Sequence, residues 1–328
     1  PDSSGELAQF LQTIDNETAQ YVFSYARTYW GDQPIVEAPA YIGITVFFIA
    51  MIGFFLMRRH WRFILLSSIL ISLLISWGKH LPQFTQFLID YVPFYNKFRA
   101  VSSAQVILEL CFPIAAALGL IGMMDSSNQS RKDAINRSAL IVLGILGLVW
   151  IAAMTTFDYQ SAFEPFAAYP EILNPLMEDR KSILLNDLMR SLGFVVALYI
   201  ICRFALIENR KRYVIPVVAL VILIDLWSFS RNYINSEDFA NKSVMQRPFQ
   251  ATAADRVILK DSMRYRVFEP RLGMAHARTA YFHNTIGGYH GAKPHRMQAL
   301  YDYHLSETIT PNVVNMLNIK YTLQTTED

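Results

Sequence analysis

Charged residues are scarce in this chain of 328 residues. Asp, Glu, Lys and Arg together make up 17% of it, whereas soluble domains carry about a quarter. Hydrophobic residues make up 53%, and this combination predicts a membrane protein rather than an ordinary soluble domain. Cysteines are also few: Cys111 and Cys202 both fall in apolar runs, where a thiol behaves as a small hydrophobe, so they give no information on the redox compartment.

The chain also lacks a large net charge, an initiator methionine and a signal-type apolar run at its start. A net charge of +2 gives no electrostatic support to a nucleic-acid partner. The absence of a start signal at Pro1 leads us to expect a fragment. The strand-like run 319–323, which lies close to the last residue, leads to the same expectation at the other end.

Long apolar runs are what the chain does have, and they predict a mainly α-helical, polytopic membrane protein with the lipid bilayer as its first partner. A helix needs about 20 residues to cross the hydrocarbon core, and flanking aromatic and basic residues extend shorter runs. Six runs qualify: Ala38 to Met57, Phe63 to Trp77, Ala104 to Met124, Ser138 to Met154, Leu188 to Ile207, and Tyr213 to Ser230.

The basic connectors predict the orientation of these spans. Arg58 to Arg62, the segment with Arg131, Lys132 and Arg137, and Arg210 to Arg212 all fall on one side. By the positive-inside rule that side is cytoplasmic. The start of the chain, the loops 78–103 and 155–187, and everything after Ser230 are then predicted to face outward.

Three parts follow from this division. Residues 1–37 are predicted to form an outward-facing amphipathic helix and loop, because Ser3 to Glu6 has capping-box spacing and the apolar residues that follow recur at helical intervals through Tyr25. Residues 38–230 form the helical membrane domain. Residues 231–328 are predicted to form an incomplete extracytoplasmic α+β domain, with helices at 252–260 and 295–304 and strands at 265–268 and 319–323.

Three charged residues lie inside the predicted spans near their outward ends: Glu109, Arg190 and Asp225. Charges at membrane depth mark a cavity, a pathway or a mutual pair. Their shared level favours a cavity open to the outside. The other interpretation is that Arg190 neutralises one of the two carboxylates structurally, without any ligand.

The loop from Asp90 to Ser103 is polar, aromatic and cationic between two apolar runs. Tyr95, Asn96, Lys97 and Arg99 make it a candidate site for a phosphate or diphosphate head group, because a guanidinium forks onto two oxygens and an ammonium adds charge. The same cations also suit ordinary interfacial anchors. Asp32, on the outward loop before the first span, is a candidate general base, although an Asp ahead of Pro34 also suits a turn.

The densest polar and aromatic cluster of the last part lies between Tyr281 and Lys293. Its candidate ligand-binding residues are His283, Gly287, Gly288, Tyr289, His290 and Lys293. Aromatic rings there suit a sugar face, and the glycines allow unusual backbone conformations. Neither zinc-type spacing nor a neighbouring Cys supports a metal site, and the glycine segment lacks the Gly-Lys-Ser/Thr ending of a P-loop.

Several motifs spread over nearly the whole chain resemble YfhO-family bacterial membrane proteins, in particular those of the Bacteroidetes. They are Trp30 to Pro34, Ser76 to Lys79, Asp90 to Ser102, Tyr289 to Lys293, and Asn315 to Tyr321. The run Tyr95 to Arg99 is the most specific. The resemblance implies a GT-C-like glycosyltransferase in the bacterial cytoplasmic membrane, which takes a sugar from a polyprenyl-phosphate carrier at the outer face.

In such enzymes an essential acidic residue lies in the first outward loop, and we expect that loop to precede this fragment. The acceptor, a glycan or protein of the cell envelope, is left open. No cofactor is evident, and these residues give no support to a divalent metal ion. Two other functions stay open: a transporter or flippase of an anionic lipid or glycan precursor, and a non-catalytic scaffold that binds glycan.

Overall fold

The computed structural model describes residues 5–31, 40–97, 100–204, 206–207, 211–289 and 293–324. The chain forms two compact units, Pro1–Ile234 and Asn235–Asp328. The predicted boundary, between Ser230 and Arg231, lies one helical turn before this division.

The first unit is helical throughout its regular structure. Its nine helices in the described ranges are α1 Glu6–Leu11, α2 Asn16–Tyr25, α3 Ile44–Leu56, α4 Arg59–Ser76, α5 Pro82–Tyr91, α6 Gln105–Asp125, α7 Asn128–Thr155, α8 Pro170–Phe204 and α9 Lys211–Ser230. By length and composition, five of them could cross a membrane, namely α4 and α6 to α9. This confirms the mainly helical class and five of the six predicted apolar spans.

The first predicted span is shorter in the structure than in the sequence analysis. Helix α3 has 13 residues, most of them buried, and it packs against α6, α7, α8 and α9. A helix that is apolar on every side belongs at the centre of a bundle. The strongly apolar run therefore reflects burial by neighbouring helices as well as membrane depth.

The predicted secondary structure was wrong in three segments: one helix and two loops. The helix expected through Tyr25 is two helices, because the side chain of Asp15 caps a new helix at the amide of Thr18. The loop 78–103 contains α5, which starts at Pro82, a residue well suited to the first helical turn. The loop 155–187 ends early, because α8 begins at Pro170 and runs without a break into the fifth predicted span.

The core of the first unit is built around a close approach of α3 and α6. A Cβ atom on Gly53 would lie 2.1 Å from the carbonyl oxygen of Ala115, and one on Gly119 would lie 2.7 Å from that of Ile49. Small residues at a crossing let two backbones approach closely, as in many membrane bundles. Phe48, Ile49 and Ile52 fill the surrounding core without exposure.

The second unit contains short helices and one small sheet. Its described elements are α10 Lys242–Gln246, α11 Ala253–Ile258, β1 Arg266–Phe268, α12 Ala277–Phe282, α13 His295–His304, α14 Pro311–Met316 and β2 Ile319–Thr322. β1 and β2 pair in parallel, and Val267 also bridges to Thr285. Phe268, Met274 and Leu305 are central to the core of this unit. The four predicted elements are present with nearly the predicted bounds.

Candidate functional site

Asp225 in α9 is fully buried and contacts the start of α3 as well as α8. Its Oδ2 accepts hydrogen bonds from the backbone amide of Thr45 at 3.1 Å and from the Thr45 hydroxyl at 2.7 Å. Its Oδ1 accepts from the Tyr41 hydroxyl at 2.8 Å and from Nη1 of Arg190 at 2.9 Å. The carboxylate therefore has four donors, which compensate for its removal from water.

Arg190 is similarly engaged. Its Nη2 donates to the Tyr41 hydroxyl at 2.7 Å, its Nε donates to Asp187 at 2.9 Å, and its Nη1 also lies 3.2 Å from the Ser228 hydroxyl. Tyr41 stacks on Phe229 with ring centroids 3.7 Å apart. The pair is thus a hydrogen-bonded structural link between α3, α8 and α9, in agreement with the interpretation that Arg190 neutralises a carboxylate.

Glu109 does not join this link. It lies half-buried near the start of α6, and within the described ranges it forms neither a hydrogen bond nor an ion pair with Arg190 or Asp225. The structure therefore brings together two of the three charged residues predicted to line one cavity.

The candidate phosphate site lies on a 3₁₀ turn, Tyr95–Lys97, that follows α5. Asn96 and Lys97 are exposed, and the described part of the chain places no carboxylate within ion-pair distance of Lys97. The Tyr95 hydroxyl is buried and has no hydrogen-bond partner among the described residues. Phe94 before it has a φ of 64°, in the left-handed region. Arg99 lies outside the described residues.

Asp32, the candidate general base, also lies outside the described residues, but the residues before it are in place. The Trp30 ring packs 5.4 Å from that of Phe157 and 5.2 Å from that of Tyr159, centroid to centroid. The Ser161 hydroxyl lies 3.4 Å from the carbonyl oxygen of Gly31. The chain is therefore fixed against the segment between α7 and α8 immediately before Asp32.

Arg180 fixes the same region, and sequence reasoning missed it. Its side chain is 1% exposed and pairs with Glu164 at 2.7 Å. Nη1 also donates to the carbonyl oxygen of Tyr159 at 2.7 Å, while Nε and Nη2 both donate to that of Arg27, at 3.1 and 2.7 Å. One guanidinium thus ties α8 to two separate loops, through carbonyl groups that leave no signal in the sequence.

Asp179, beside it, was also missed. Its carboxylate accepts hydrogen bonds from the backbone amides of Glu6, at 2.7 Å, and Leu7, at 3.3 Å. These are the first amides of α1, and a carboxylate there satisfies groups that the helix itself leaves unpaired. Asp179 therefore docks α1 on α8.

In the second unit, His283 is buried and its Nε2 lies 2.9 Å from Oδ1 of Asp255. Asp255 is also fully buried and accepts hydrogen bonds from the backbone and hydroxyl of Thr252 and from Arg278. Burial raises the pKa of Asp255, but the hydrogen bonds from Thr252, His283 and Arg278 outweigh it and leave the pKa well below its usual range. His283 is therefore part of a buried structural network.

The other candidates of that cluster have different environments. A Cβ atom on Gly287 would lie 2.3 Å from the carbonyl oxygen of Met274, and Gly288, at a φ of 143°, donates its amide to the same oxygen at 2.8 Å. Tyr289 is 84% exposed. Nζ of Lys293 donates to Gln298 at 2.8 Å, and His290 lies outside the described residues. The glycines thus serve a close backbone turn, and two rings of the cluster, Tyr289 and Tyr281, are exposed at the surface.

A search of the described residues for three or more His, Cys, Asp or Glu side chains able to bind one metal ion finds no such group. Comparisons with known proteins add no assignment: neither a family model nor a curated protein nor a solved structure matches the chain. The YfhO-family resemblance therefore stays a prediction from the quoted motifs.

Proposed function

We propose that this chain is the membrane part of a YfhO-type, GT-C-like glycosyltransferase in the bacterial cytoplasmic membrane. It contains six membrane helices, α3 included, and its second unit is the extracytoplasmic domain. Helix α3 is about 20 Å long at 1.5 Å per residue, less than the hydrocarbon core of about 30 Å. Its neighbours α6 to α9 surround it, so it needs little contact with lipid.

The proposed reaction is sugar transfer from a polyprenyl phosphate to a hydroxyl group of a cell-envelope glycan or protein. The acceptor oxygen forms a bond to the anomeric carbon of the sugar while the bond from that carbon to the phosphate oxygen breaks. The electron pair leaves with the phosphate, and the hydroxyl proton passes to a carboxylate that acts as general base. Lys97 and Arg99 bind the carrier phosphate and offset its charge as it leaves.

A single observation carries this proposal: Lys97 is exposed on a tight turn without an acidic partner in the described structure. The turn follows α5 and precedes α6, and α6 is apolar enough to cross a membrane. An ammonium group at that level lies where lipid phosphates lie. The buried Tyr95 hydroxyl on the same turn has no hydrogen-bond partner among the described residues.

In this proposal the Arg190–Asp225 pair has a structural role and does not bind a ligand. A transporter or flippase of an anionic lipid would use charges that can engage its cargo, whereas Arg190 and Asp225 already engage Tyr41, Thr45 and each other. Releasing Arg190 from the pair would leave the fully buried carboxylate of Asp225 without its ionic partner, which is costly. Transport is therefore the less favoured function.

The test is the double variant Lys97→Ala with Arg99→Ala, assayed with a radiolabelled polyprenyl-phosphate sugar and a membrane extract as acceptor. We expect a loss of covalent incorporation with the protein still folded. A matched control is Lys132→Ala with Arg59→Ala, which removes two exposed cations from connectors on the predicted cytoplasmic side. Equal incorporation by both double variants would refute the proposed role of Lys97 and Arg99.

The same assay separates the alternatives. Label that crosses the membrane without forming a bond would support transport. Label that binds and is neither transferred nor moved would support a glycan-binding scaffold.

A further inference from the structure

Helix α5 is unusual in the first unit because none of its residues is buried. It lies between α4 and α6, two helices that are long and apolar enough to cross a membrane. Short 3₁₀ turns, Gly78–His80 before it and Val101–Ala104 after it, connect it to these helices. Its position along the chain therefore ties it to the ends of two candidate spans.

The helix has two distinct sides. Phe84 and Leu88 are half-buried, and next to them on the helix surface lie Phe87, 53% exposed, and Tyr91, 74% exposed, with ring centroids 5.1 Å apart. The opposite side carries Gln86 and Asp90, whose side chains form a hydrogen bond of 2.8 Å. The first unit therefore covers only part of the apolar side of α5 and leaves Phe87 and Tyr91 exposed.

Exposed aromatic residues also flank α5 along the chain. Trp77, before it, is 51% exposed, and Phe94, after it, is 78% exposed at a positive φ. Lys97 follows three residues later and is exposed too. Tryptophan, tyrosine and a flanking lysine are the residues that anchor proteins at the level of lipid head groups.

We propose that α5 is an interfacial helix that lies in the head-group layer of the bilayer, with Phe87, Tyr91 and Phe94 toward the acyl chains and Gln86 and Asp90 toward water. The occupant of the exposed aromatic surface is lipid, because the chain enters and leaves α5 from helices suited to the membrane. Amphipathic helices of this kind bury their apolar face about 5–10 Å into the boundary between head groups and acyl chains. The proposal depends only on membrane insertion and is independent of the transfer reaction.

An anchor at this position has a consequence for the segment that follows. The turn Tyr95–Lys97 begins four residues after α5 ends. With α5 fixed in the head-group layer, that turn stays at the level of the lipid phosphates.

The test uses nitroxide spin labels on the whole chain reconstituted in vesicles of phosphatidylcholine and phosphatidylglycerol. Both native cysteines are first replaced, Cys111→Ala and Cys202→Ala, and single cysteines are then introduced as Phe87→Cys, Tyr91→Cys, Gln86→Cys or Asp90→Cys. Collision of each label with oxygen, which dissolves in lipid, and with a water-soluble nickel chelate is measured by power-saturation EPR. Leu148→Cys, in the apolar second half of α7, and Tyr303→Cys, on the second unit, are the lipid and water references; both residues are exposed.

We expect the oxygen-to-nickel accessibility ratio at positions 87 and 91 to exceed that at positions 86 and 90 severalfold, and to approach the ratio at position 148. All four positions are exposed, so the substitutions leave the packed core unchanged, and Phe94→Cys is a second reporter of the apolar side. Four labels that all resemble position 303 would overturn the proposal, because α5 would then lie in water. Labels at 87 and 91 that are immobile and protected from both reagents would overturn it as well, since a protein would then cover this surface.

Discussion

The carboxylate of Asp225 accepts a hydrogen bond from the backbone amide of Thr45, so α3 begins against a side chain that belongs to α9. The residue before α3 is Gly43, which has a φ of 93° and no side chain with which to cap the helix. Asp225 takes over that role and also places a negative charge at the positive end of the helix dipole. The start of α3 therefore depends on a residue 180 positions later in the chain.

Asp225→Ala is expected to lower the free energy of unfolding by about 3 kcal/mol, the lower end of the cost of removing one partner from a buried ion pair, because Arg190 is partly exposed and keeps Asp187. The substitution leaves Arg190 without its buried carboxylate and the amide of Thr45 without an acceptor. Thermal or denaturant unfolding in a mild detergent measures the loss. Asp125→Ala, at the exposed end of α6, is the matched control and should change the free energy of unfolding by no more than about 0.5 kcal/mol. Equal stability of the two variants would contradict the structural role of the pair.

Asp179→Ala is expected to release α1 from α8 at a cost of about 0.5–2 kcal/mol, the range measured for lost helix caps. The effect should be local, because the bonds of this carboxylate to the described residues all go to the first amides of α1. Hydrogen exchange of residues 6–11 should accelerate while that of α6 and α7 stays unchanged. Glu178→Ala, which removes an exposed carboxylate next in the chain, should leave exchange in α1 as it is.

Gly53→Ala is expected to destabilise the first unit by about 1–3 kcal/mol, the cost of overpacking a well-packed core. The added methyl group would lie 2.1 Å from the carbonyl oxygen of Ala115, so α3 and α6 would have to separate. Gly147→Ala is the control, because a Cβ atom on Gly147 meets no atom within 4 Å. Unfolding measured side by side should show a loss for the first variant and no loss for the second. The interpretation fails if both tolerate alanine equally.

The second unit should become less stable in acid because of Asp261. Hydrogen bonds from Lys320, the Met263 amide and Tyr321 lower the pKa of Asp261 to about 2, from an unfolded value of about 3.9. A lowered carboxyl pKa contributes stability that is fully present above pH 4 and is lost as the pH falls through about 2. The advantage of the unsubstituted protein over Asp261→Asn should therefore be full at pH 5 and shrink toward pH 2.

Pepsin, which is active over this range, measures the effect as the difference in cleavage of residues 261–324 between the two proteins at each pH. Glu307→Gln removes an exposed carboxylate and should follow the unsubstituted protein throughout. A constant difference between Asp261→Asn and the unsubstituted protein from pH 5 to pH 2 would show that the carboxylate does not act through its charge.

Local patterns in the sequence were enough to predict some elements closely. Helix α13 begins at His295, directly after Pro294, as the proline indicated, and the apolar runs located the spans. The helix predicted at 252–260 is present as α11, which starts after a capping box between Thr252 and Asp255. These patterns depend only on residues that are close together in the sequence.

The polar contacts of the first unit could not be predicted in the same way. Arg180 donates a hydrogen bond to the carbonyl oxygen of Arg27, 153 residues away. Every residue has a backbone carbonyl group, so the sequence does not indicate which one Arg180 contacts. Asp225 was recognised as a charge at membrane depth, but its bond to a backbone amide depends on where α3 begins. The sequence placed that start six residues too early, because the apolar run continues beyond the helix.

Helix α8 has 35 residues, which makes it about 52 Å long at 1.5 Å per residue. A bilayer core of about 30 Å covers little more than half of that length. One continuous helix therefore carries Asp179, which contacts α1, Arg180, which contacts two loops, and Arg190, which contacts α9. A rotation or axial shift of α8 would therefore move its contact with α1 and its contact with α9 together.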